Sequence, residues 1–413
     1  MLFWYLYFWI INGLRMWFKK VYYHFEEPIP DGVPVIFACT HPNSAVDFIF
    51  LPMITRKPCH VLVRGDVFEN KSLNKFFRSI WMLPVYRIRD GYKSLNKNAD
   101  SFNECYDLFD RSGRVLIFSE GISIQEKKLQ PLKKGTARLA LDYVARRSGK
   151  EVLIVPMANN YSKFRKFRAT VMTNFGKPIK ASSYLELLRS NENQAYVKLT
   201  SDIQDALDEL LIQPKDYSDE SASEVALDAL RLNNNDVRKE WMIEDQEPFL
   251  REKALVEKMN KGVWTPDQRW LSKAKELEIS EHTESMLHNG KSAWIQWGVM
   301  LVLAPFVALA QVFHFLPYRI STWIVKTKIK DVIFENTVMV LGTTVLYMIQ
   351  FWILFALLGI TFGWPGIVVA ISGLSLSLVY IELIDEFLFA WNNRKNIKRR
   401  ESYYCLFDSL PTS

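Results

Sequence analysis

The sequence predicts an α/β domain with a largely parallel sheet flanked by helices, preceded by an N-terminal membrane-interface helix and followed by a C-terminal helical membrane domain. Three observations carry this. Short β-branched, apolar runs alternate with helical patterns between residues 31 and 180. The first 14 residues, Met1 to Leu14, hold no charged side chain. From Asn336 to Ile381 there is no Asp, Glu, Lys or Arg in 46 residues, about 69 Å of helix, enough to cross a ~30 Å hydrocarbon core twice.

Taken in order, Met1–Leu14 would reach only about 21 Å as a helix, short of a full span. Arg15, Lys19 and Lys20 follow, with Trp17, Phe18, Tyr22, Tyr23 and Phe25 interleaved. Basic and aromatic residues together suit a helix lying in the headgroup layer, so residues 1–30 read as a membrane-interface anchor. A secretory signal would carry its positive charges before the apolar stretch, not after it.

Residues 31–180 read as the α/β domain. The expected strands are Pro34–Thr40, His60–Val63, Leu83–Ile88, Arg114–Phe118, Glu151–Val155 and Ala169–Thr173. Helical patterns cover Asn98–Arg111 and Lys134–Arg147.

Residues 181–290 read as a helical, partly acidic linker region, with ten acidic and three basic residues between Asp216 and Glu247. Residues 291–390 read as membrane helices. Ser292–Tyr318 is apolar but interrupted by Pro305, and with Pro317 it suggests a re-entrant or in-plane segment. Thr337–Gly359 is a clean 23-residue span, and Gly363-Trp364-Pro365-Gly366 is a turn before a further apolar run. The loop with Arg319, Lys326, Lys328 and Lys330, and the basic tail 391–413, should both face the cytoplasm. The expected localisation is integral to a membrane, with the catalytic domain on the cytoplasmic face.

Composition narrows the function classes. The net charge is +7, but many basic residues flank apolar runs instead of clustering with stacking aromatics on one fold. That favours membrane lipids as partners and argues against nucleic acid. The four cysteines, Cys39, Cys59, Cys105 and Cys405, have no metal or redox spacing. No metal is expected.

The chemistry-bearing residues gather at strand ends, where open α/β sheets bind ligands. The first strand ends in Thr40-His41-Pro42-Asn43-Ser44-Ala45-Val46-Asp47. His41 is a candidate general base near neutral pH, and Asp47 can hold its ring. The third run leads into Tyr86-Arg87-Ile88-Arg89, which sets a guanidinium at the same rim. The fourth ends in Phe118-Ser119-Glu120-Gly121, a carboxylate before a glycine that permits a tight turn. Pro131-Leu132-Lys133-Lys134-Gly135 opens a helix and offers lysines to an anion. The fifth run ends in Val155-Pro156. Each residue has a plainer reading: a helix-start carboxylate for Glu120, a surface ion pair for Arg87, a solvated lysine for Lys133, a strand terminator for Pro156.

In this order the blocks His41…Asp47, Arg87, Phe118-Ser119-Glu120-Gly121 and Val155-Pro156 resemble the four motifs of the glycerophospholipid acyltransferases, the group with glycerol-3-phosphate and lysophosphatidic acid acyltransferases. The likeness covers roughly residues 30–180. The chain departs from the usual pattern in three places. Five residues separate His41 from Asp47 where four are usual, Ser119 replaces a proline, and Ile122-Ser123 replaces Thr-Arg. With that arginine missing, Lys133, Arg87 or Lys134 would supply charge for an acceptor phosphate.

The resemblance implies acyl transfer from a thioester to a hydroxyl, with His41 and Asp47 catalytic and Arg87, Glu120, Gly121, Lys133 and Pro156 binding substrate. It implies no cofactor beyond acyl-CoA or acyl carrier protein as co-substrate, in phospholipid biosynthesis. Two other readings compete. A membrane esterase would want a Gly-x-Ser-x-Gly elbow, and Gly373-Leu374-Ser375-Leu376-Ser377 lacks its last glycine. A non-enzymatic membrane scaffold would not need His41, Asp47 and Glu120 together.

Overall fold

The computed structural model describes residues 1–86, 97–147, 149–218, 220–232, 240–277, 293–375, 406 and 409–411. Arg87, Arg89, the residues 376–390 of the expected last span and the tail arginines lie outside the described residues.

The chain opens with α1 (Leu2–Trp17) and passes directly into β1 (Phe18–Phe25). Then come β2 (Val35–Cys39), α2 (Val46–Thr55), β3 (His60–Arg64), α3 (Lys71–Ser79) and β4 (Met82–Val85). Next are α4 (Lys97–Phe109), β5 (Arg114–Phe118), α5 (Gly135–Arg146), β6 (Leu153–Tyr161), β7 (Ala169–Phe175) and β8 (Ile179–Lys180). The sheet runs β4-β3-β5-β2-β6-β7-β1-β9, with β8 beside β6 and β9 contributed by Met242–Glu244. The five strands from β4 to β6 are parallel, and β7, β1 and β9 run the opposite way. Helices on both faces and a mainly parallel sheet are the expected fold class.

The sheet's two faces follow from period-2 alternation in β2. Ile36 and Ala38 point into a core shared with α4 and α5. Val35, Phe37 and Cys39 point into a second core with α2 and the end of α1. A strand covered on both faces reads as a continuous apolar run, which is why PVIFACT was legible.

Two boundaries differ from the sequence reading. Residues 18–25 belong to the sheet, not to a membrane-interface anchor ending at residue 30. Phe18 and Val21 are fully buried, and β1 pairs with a strand about 150 residues away. Likewise, residues 181–260 do not form a solvated linker. There α6 (Leu185–Ser190) is followed by α7 (Glu192–Glu209), which buries Ala195, Leu199, Ile203 and Leu207 in the first core. Then α8 (Ala222–Leu232) and α9 (Glu247–Asn260) enclose a third core with Tyr22, Met172 and Ile243, and α10 (Gln268–Glu276) follows. Acidic residues here have internal partners. Glu224 is fully buried and accepts from Lys127 Nζ at 2.6 Å and Lys163 Nζ at 3.0 Å, while Arg231 makes a two-pronged pair with Glu252 at 2.9 and 2.7 Å.

The C-terminal part holds α11 (Ala293–Lys328), the continuous helix α12 (Val332–Phe362) and α13 (Trp364–Ser375). Among the described residues α12 alone is a single unbroken helix long and apolar enough to cross a membrane; α11 meets that test only as a pair of segments bent by 62°. The break precedes Phe313, and Pro317 explains it: without an N–H it leaves the Phe313 carbonyl unsatisfied. Gln350 of α12 donates Nε2 to that oxygen at 3.0 Å.

α1 does not stand alone. Its Trp9 packs on Phe351 at 5.6 Å, and Trp352 Nε1 donates to Tyr5 Oη at 2.9 Å. Gly13 meets Thr344 so closely that a Cβ there would lie 1.9 Å from Oγ1. At the other end Arg168 caps α1, donating to the Arg15 and Phe18 carbonyls at 2.8 and 3.1 Å.

Candidate active site

Parallel strands deliver their loops to one rim, and β2 and β5 are neighbours in register, Cys39 beside Phe118. This brings His41 and Glu120, 79 residues apart, into contact: the His41 N–H donates to Glu120 Oε1 at 2.9 Å. After β2 the chain turns sharply, with Ser44 at φ 52°, into α2, whose first turn carries Asp47. That turn carries the carboxylate back beneath the imidazole. His41 Nδ1 lies 3.1 Å from Asp47 Oδ2. The His41 ring stacks on Phe118, centroids 3.6 Å apart and 16° from parallel.

Asp47 is saturated with donors. Its Oδ2 also accepts from the Asn43 N–H at 2.7 Å, and its Oδ1 accepts from the Tyr161 hydroxyl at 2.7 Å. Burial pushes its carboxyl above the usual range, and the bonds from His41, Tyr161 and Asn43 pull it back. The Tyr161 phenol, buried beside Asp47, is pushed well up and stays a donor. Asp47's side chain is fully covered while that of His41 is 18% exposed. With Nδ1 committed to Asp47, His41 offers Nε2 as its second nitrogen. An orienting carboxylate beneath a partly open base is the arrangement general-base chemistry needs.

Glu120 accepts from two backbone N–H groups, those of His41 and of Gln130 at 3.3 Å. Burial nevertheless dominates and raises its carboxyl to about 7. A raised carboxyl is favourable to folding in its protonated form, so this contribution is present below pH 4.5 and lost as pH rises through 7. Between pH 4 and 8 the wild type should therefore lose about 3 kcal/mol more stability than Glu120→Gln does, at 1.36 kcal/mol per unit. Denaturation midpoints of both proteins across that range test this; parallel profiles would refute it.

Gly121 has φ +67°, a conformation glycine adopts without strain, and a Cβ there would press on Lys133 Cγ at 3.3 Å. Lys133 thus lies along Gly121, its N–H donating to the Ser119 carbonyl at 2.8 Å. Ser119, where the family has proline, donates to or accepts from Thr136 Oγ1 at 2.9 Å. Lys134 turns to Asn193 at 2.8 Å, which leaves Lys133 as the exposed cation beside Gly121.

Pro156 is not at a strand end. It sits inside β6, in register with Ala38, where the antiparallel partner changes from β8 to β7. A residue without an N–H is tolerated at such a change of partner. It packs beside Gly176, below the rim. Arg87 lies outside the described residues. A small cavity of about 20 Å³ lies behind Glu120, lined also by Thr40, Pro42, Asn159, Tyr161 and Phe164. Among the described residues no group of three or more His, Cys, Asp or Glu is placed to hold a metal ion.

Tyr161, Asn43 and Phe118 were not marked by sequence reasoning. Asn43 and Phe118 sit inside motif blocks, and their position there was the available signal. Tyr161 ends β6 with no local pattern to single it out.

Residues 20–160 match the family model described as Acyltransferase. Over 121 residues the chain is 31% identical to glycerol-3-phosphate O-acyltransferase 2 of Saccharomyces cerevisiae, covering 29% of this chain and 16% of that protein. Over 118 residues it is 27% identical to an uncharacterized acyltransferase of Schizosaccharomyces pombe, covering 28% of this chain and 18% of the relative. The chain thus spans less than a fifth of the length of these curated relatives. The crystal structure of the 1-acyl-sn-glycerophosphate (LPA) acyltransferase PlsC from Thermotoga maritima aligns at 16% identity and TM-score 0.35, covering 50% of this chain and 79% of that one. The matched stretch begins in β1 and ends in β6, and it contains His41, Asp47, Glu120, Gly121, Lys133 and Pro156. Residues 20–160 of this chain are thus similar to the acyltransferase domain that the family model describes.

Proposed function

We propose that this chain is a membrane-bound O-acyltransferase that moves a fatty acyl group from an acyl thioester to the hydroxyl of a glycerol phosphate or lysophospholipid, in phospholipid biosynthesis. The observation that carries the reading is the His41–Asp47 pair, with its carboxylate sealed and its imidazole open at the rim of the sheet.

In this mechanism His41 Nε2 takes the proton of the acceptor hydroxyl as the oxygen attacks the thioester carbon. Asp47 holds the ring and offsets the charge it gains. Collapse of the adduct breaks the carbon–sulfur bond, and the imidazolium returns the proton to the leaving thiolate. The products are an ester and a free thiol, and the enzyme needs no nucleophile of its own. The acceptor site is formed by Glu120 and Gly121, with Lys133 and Arg87 as donors to its phosphate. Pro156 acts indirectly, through the floor of the sheet. The partners are membrane lipids and the thioester, acyl-CoA or acyl carrier protein, with no cofactor.

The apolar helices suit this chemistry. Burial is worth about 0.8 kcal/mol per CH₂, so drawing a long acyl chain into water is costly. A site held at the bilayer surface avoids that step. The exposed apolar side chains of α12, among them Ile353, Leu357 and Ile360, support integral attachment. The basic residues 319–330 support a cytoplasmic face for the domain.

The test is thiol release from acyl-CoA by purified protein, with and without glycerol-3-phosphate or lysophosphatidic acid, and mass spectrometry of the lipid formed. Acceptor-dependent release is expected; release independent of any acceptor would mean an esterase instead. Asp47→Asn, which keeps the shape but misorients the ring, should lower kcat by about 10²-fold or more with the acceptor KM little changed. Wild-type kcat in that variant would remove Asp47 from the mechanism.

A further inference from the structure

The family match stops at residue 160, yet the loop that carries His41 and Asp47 is closed by a side chain from residue 336. Asn336 stands near the start of α12 and is 1% exposed. Its Nδ2 donates to Asn43 Oδ1 at 3.2 Å and also to the Phe164 carbonyl. Asn43 Nδ2 donates to the same Phe164 carbonyl at 3.2 Å. The backbone N–H of Asn43 in turn holds Asp47 Oδ2, the oxygen that faces His41 Nδ1. Asn336 is therefore one residue removed from the carboxylate of the proposed pair.

This matters because the loop is held by separate hydrogen bonds, among them His41 N–H to Glu120 and Ser44 N–H to Ser123 Oγ at 3.1 Å, and not by regular structure. Residues 40–45 belong to no strand or helix, and Asn43 is fully buried with four amide hydrogen-bonding sites to satisfy. Gln125 also reaches Asn43 Oδ1, but at 3.5 Å. A buried amide oxygen deprived of its main donor would reorient, and its own N–H would leave Asp47. The first turns of α12 are anchored in the same place, since Val340 packs in the core with Leu14 and Phe50. Beyond them Ile349, Trp352 and Ile353 are exposed.

We infer that Asn336 is a positioning residue of the acyltransferase site, through which the start of the apolar helix α12 fixes the loop that aligns Asp47 with His41. This rests on the proposed acyl transfer. It makes the C-terminal membrane region part of the site and not only an attachment.

The experiment uses the full chain purified in lipid, with acyl-CoA and lysophosphatidic acid as probes, and the variants Asn336→Ala, Asn336→Asp, Asn43→Ala and Asn336→Ala/Asn43→Ala. Asn336→Ala should lower kcat about 10-fold, with both KM values within twofold of wild type. Asn336→Asp should lose at least as much, because it sets a carboxylate oxygen against two acceptors. The double variant should be no slower than Asn43→Ala alone, since the two act as one unit. Hydrogen exchange at amides 43–47 should quicken in Asn336→Ala, a readout that needs no turnover. Unchanged exchange, a kcat within twofold of wild type, or losses that multiply in the double variant would each overturn the inference. Wild-type protein with no acceptor-dependent activity, beside quickened exchange in the variant, would instead overturn the acyl-transfer reading and leave the loop contact standing.

Discussion

Replacing His41 by Ala is expected to lower turnover by ~10²–10⁴-fold, the range that a general base contributes, and to leave the fold intact. The fold should survive because the His41 backbone N–H still reaches Glu120 in the variant, and Asp47 keeps its bonds from Asn43 and Tyr161. What disappears is one hydrogen bond and the stack on Phe118, together about 1–2 kcal/mol. The measurement is initial rate of acceptor-dependent thiol release beside a thermal melt of the same preparation. A variant that melts like wild type and turns over like wild type would end the general-base assignment.

The largest effect on stability is expected at Glu224. Its carboxylate is buried between Lys127 and Lys163, and Arg231 lies 4.0 Å from it. Burial opposes the charge, but the three cations outweigh it and hold the carboxyl down at about 2. Glu224→Gln removes the carboxylate that pairs with the enclosed Lys127 ammonium and leaves Lys163 only the longer contact to Asp228 at 3.5 Å, a change that typically costs about 3–5 kcal/mol. The exposed pair Lys253–Glu209 is the control, where Glu209→Gln should cost under about 1 kcal/mol. The sign with pH follows from the depressed value. The Glu224 contribution is full above pH 4.5 and fades as pH falls toward 2, so wild type and variant should converge in acid. Equal midpoints at pH 7 would show that the cluster carries no net stability. Lys127 belongs to the loop that includes Gln130, the second donor to Glu120, so the variant should also disturb the proposed acceptor site.

These two sites differ in how they could be found. His41, Asp47, Glu120 and Gly121 could be placed together from the sequence because open α/β sheets gather polar groups at strand ends, and strand ends are marked by short apolar runs. Lys133 and Lys134 were legible as a pair but not as individuals; only the contact of Lys134 with Asn193 separates them. Glu224 was hidden in a stretch with ten acidic residues, where composition suggests solvation. Whether an acidic residue is solvated or paired depends on which surface folds over it. Phe18–Phe25 misled for a related reason. Basic and aromatic residues in alternation suit a lipid surface as well as an outer region of a sheet, and only β7, far along the chain, decides between them.

The order of amino acids alone determined six of the strands, the apolar helices and the place of the proposed base, because periodicity and strand-end chemistry act over a few residues. The tertiary structure alone decided that β1 and β9 complete the sheet, that Tyr161 holds Asp47, and that Asn336 reaches the loop from nearly 300 residues away. Such contacts join surfaces that share no local pattern, and packing and hydrogen-bond satisfaction select them only once the whole chain has closed.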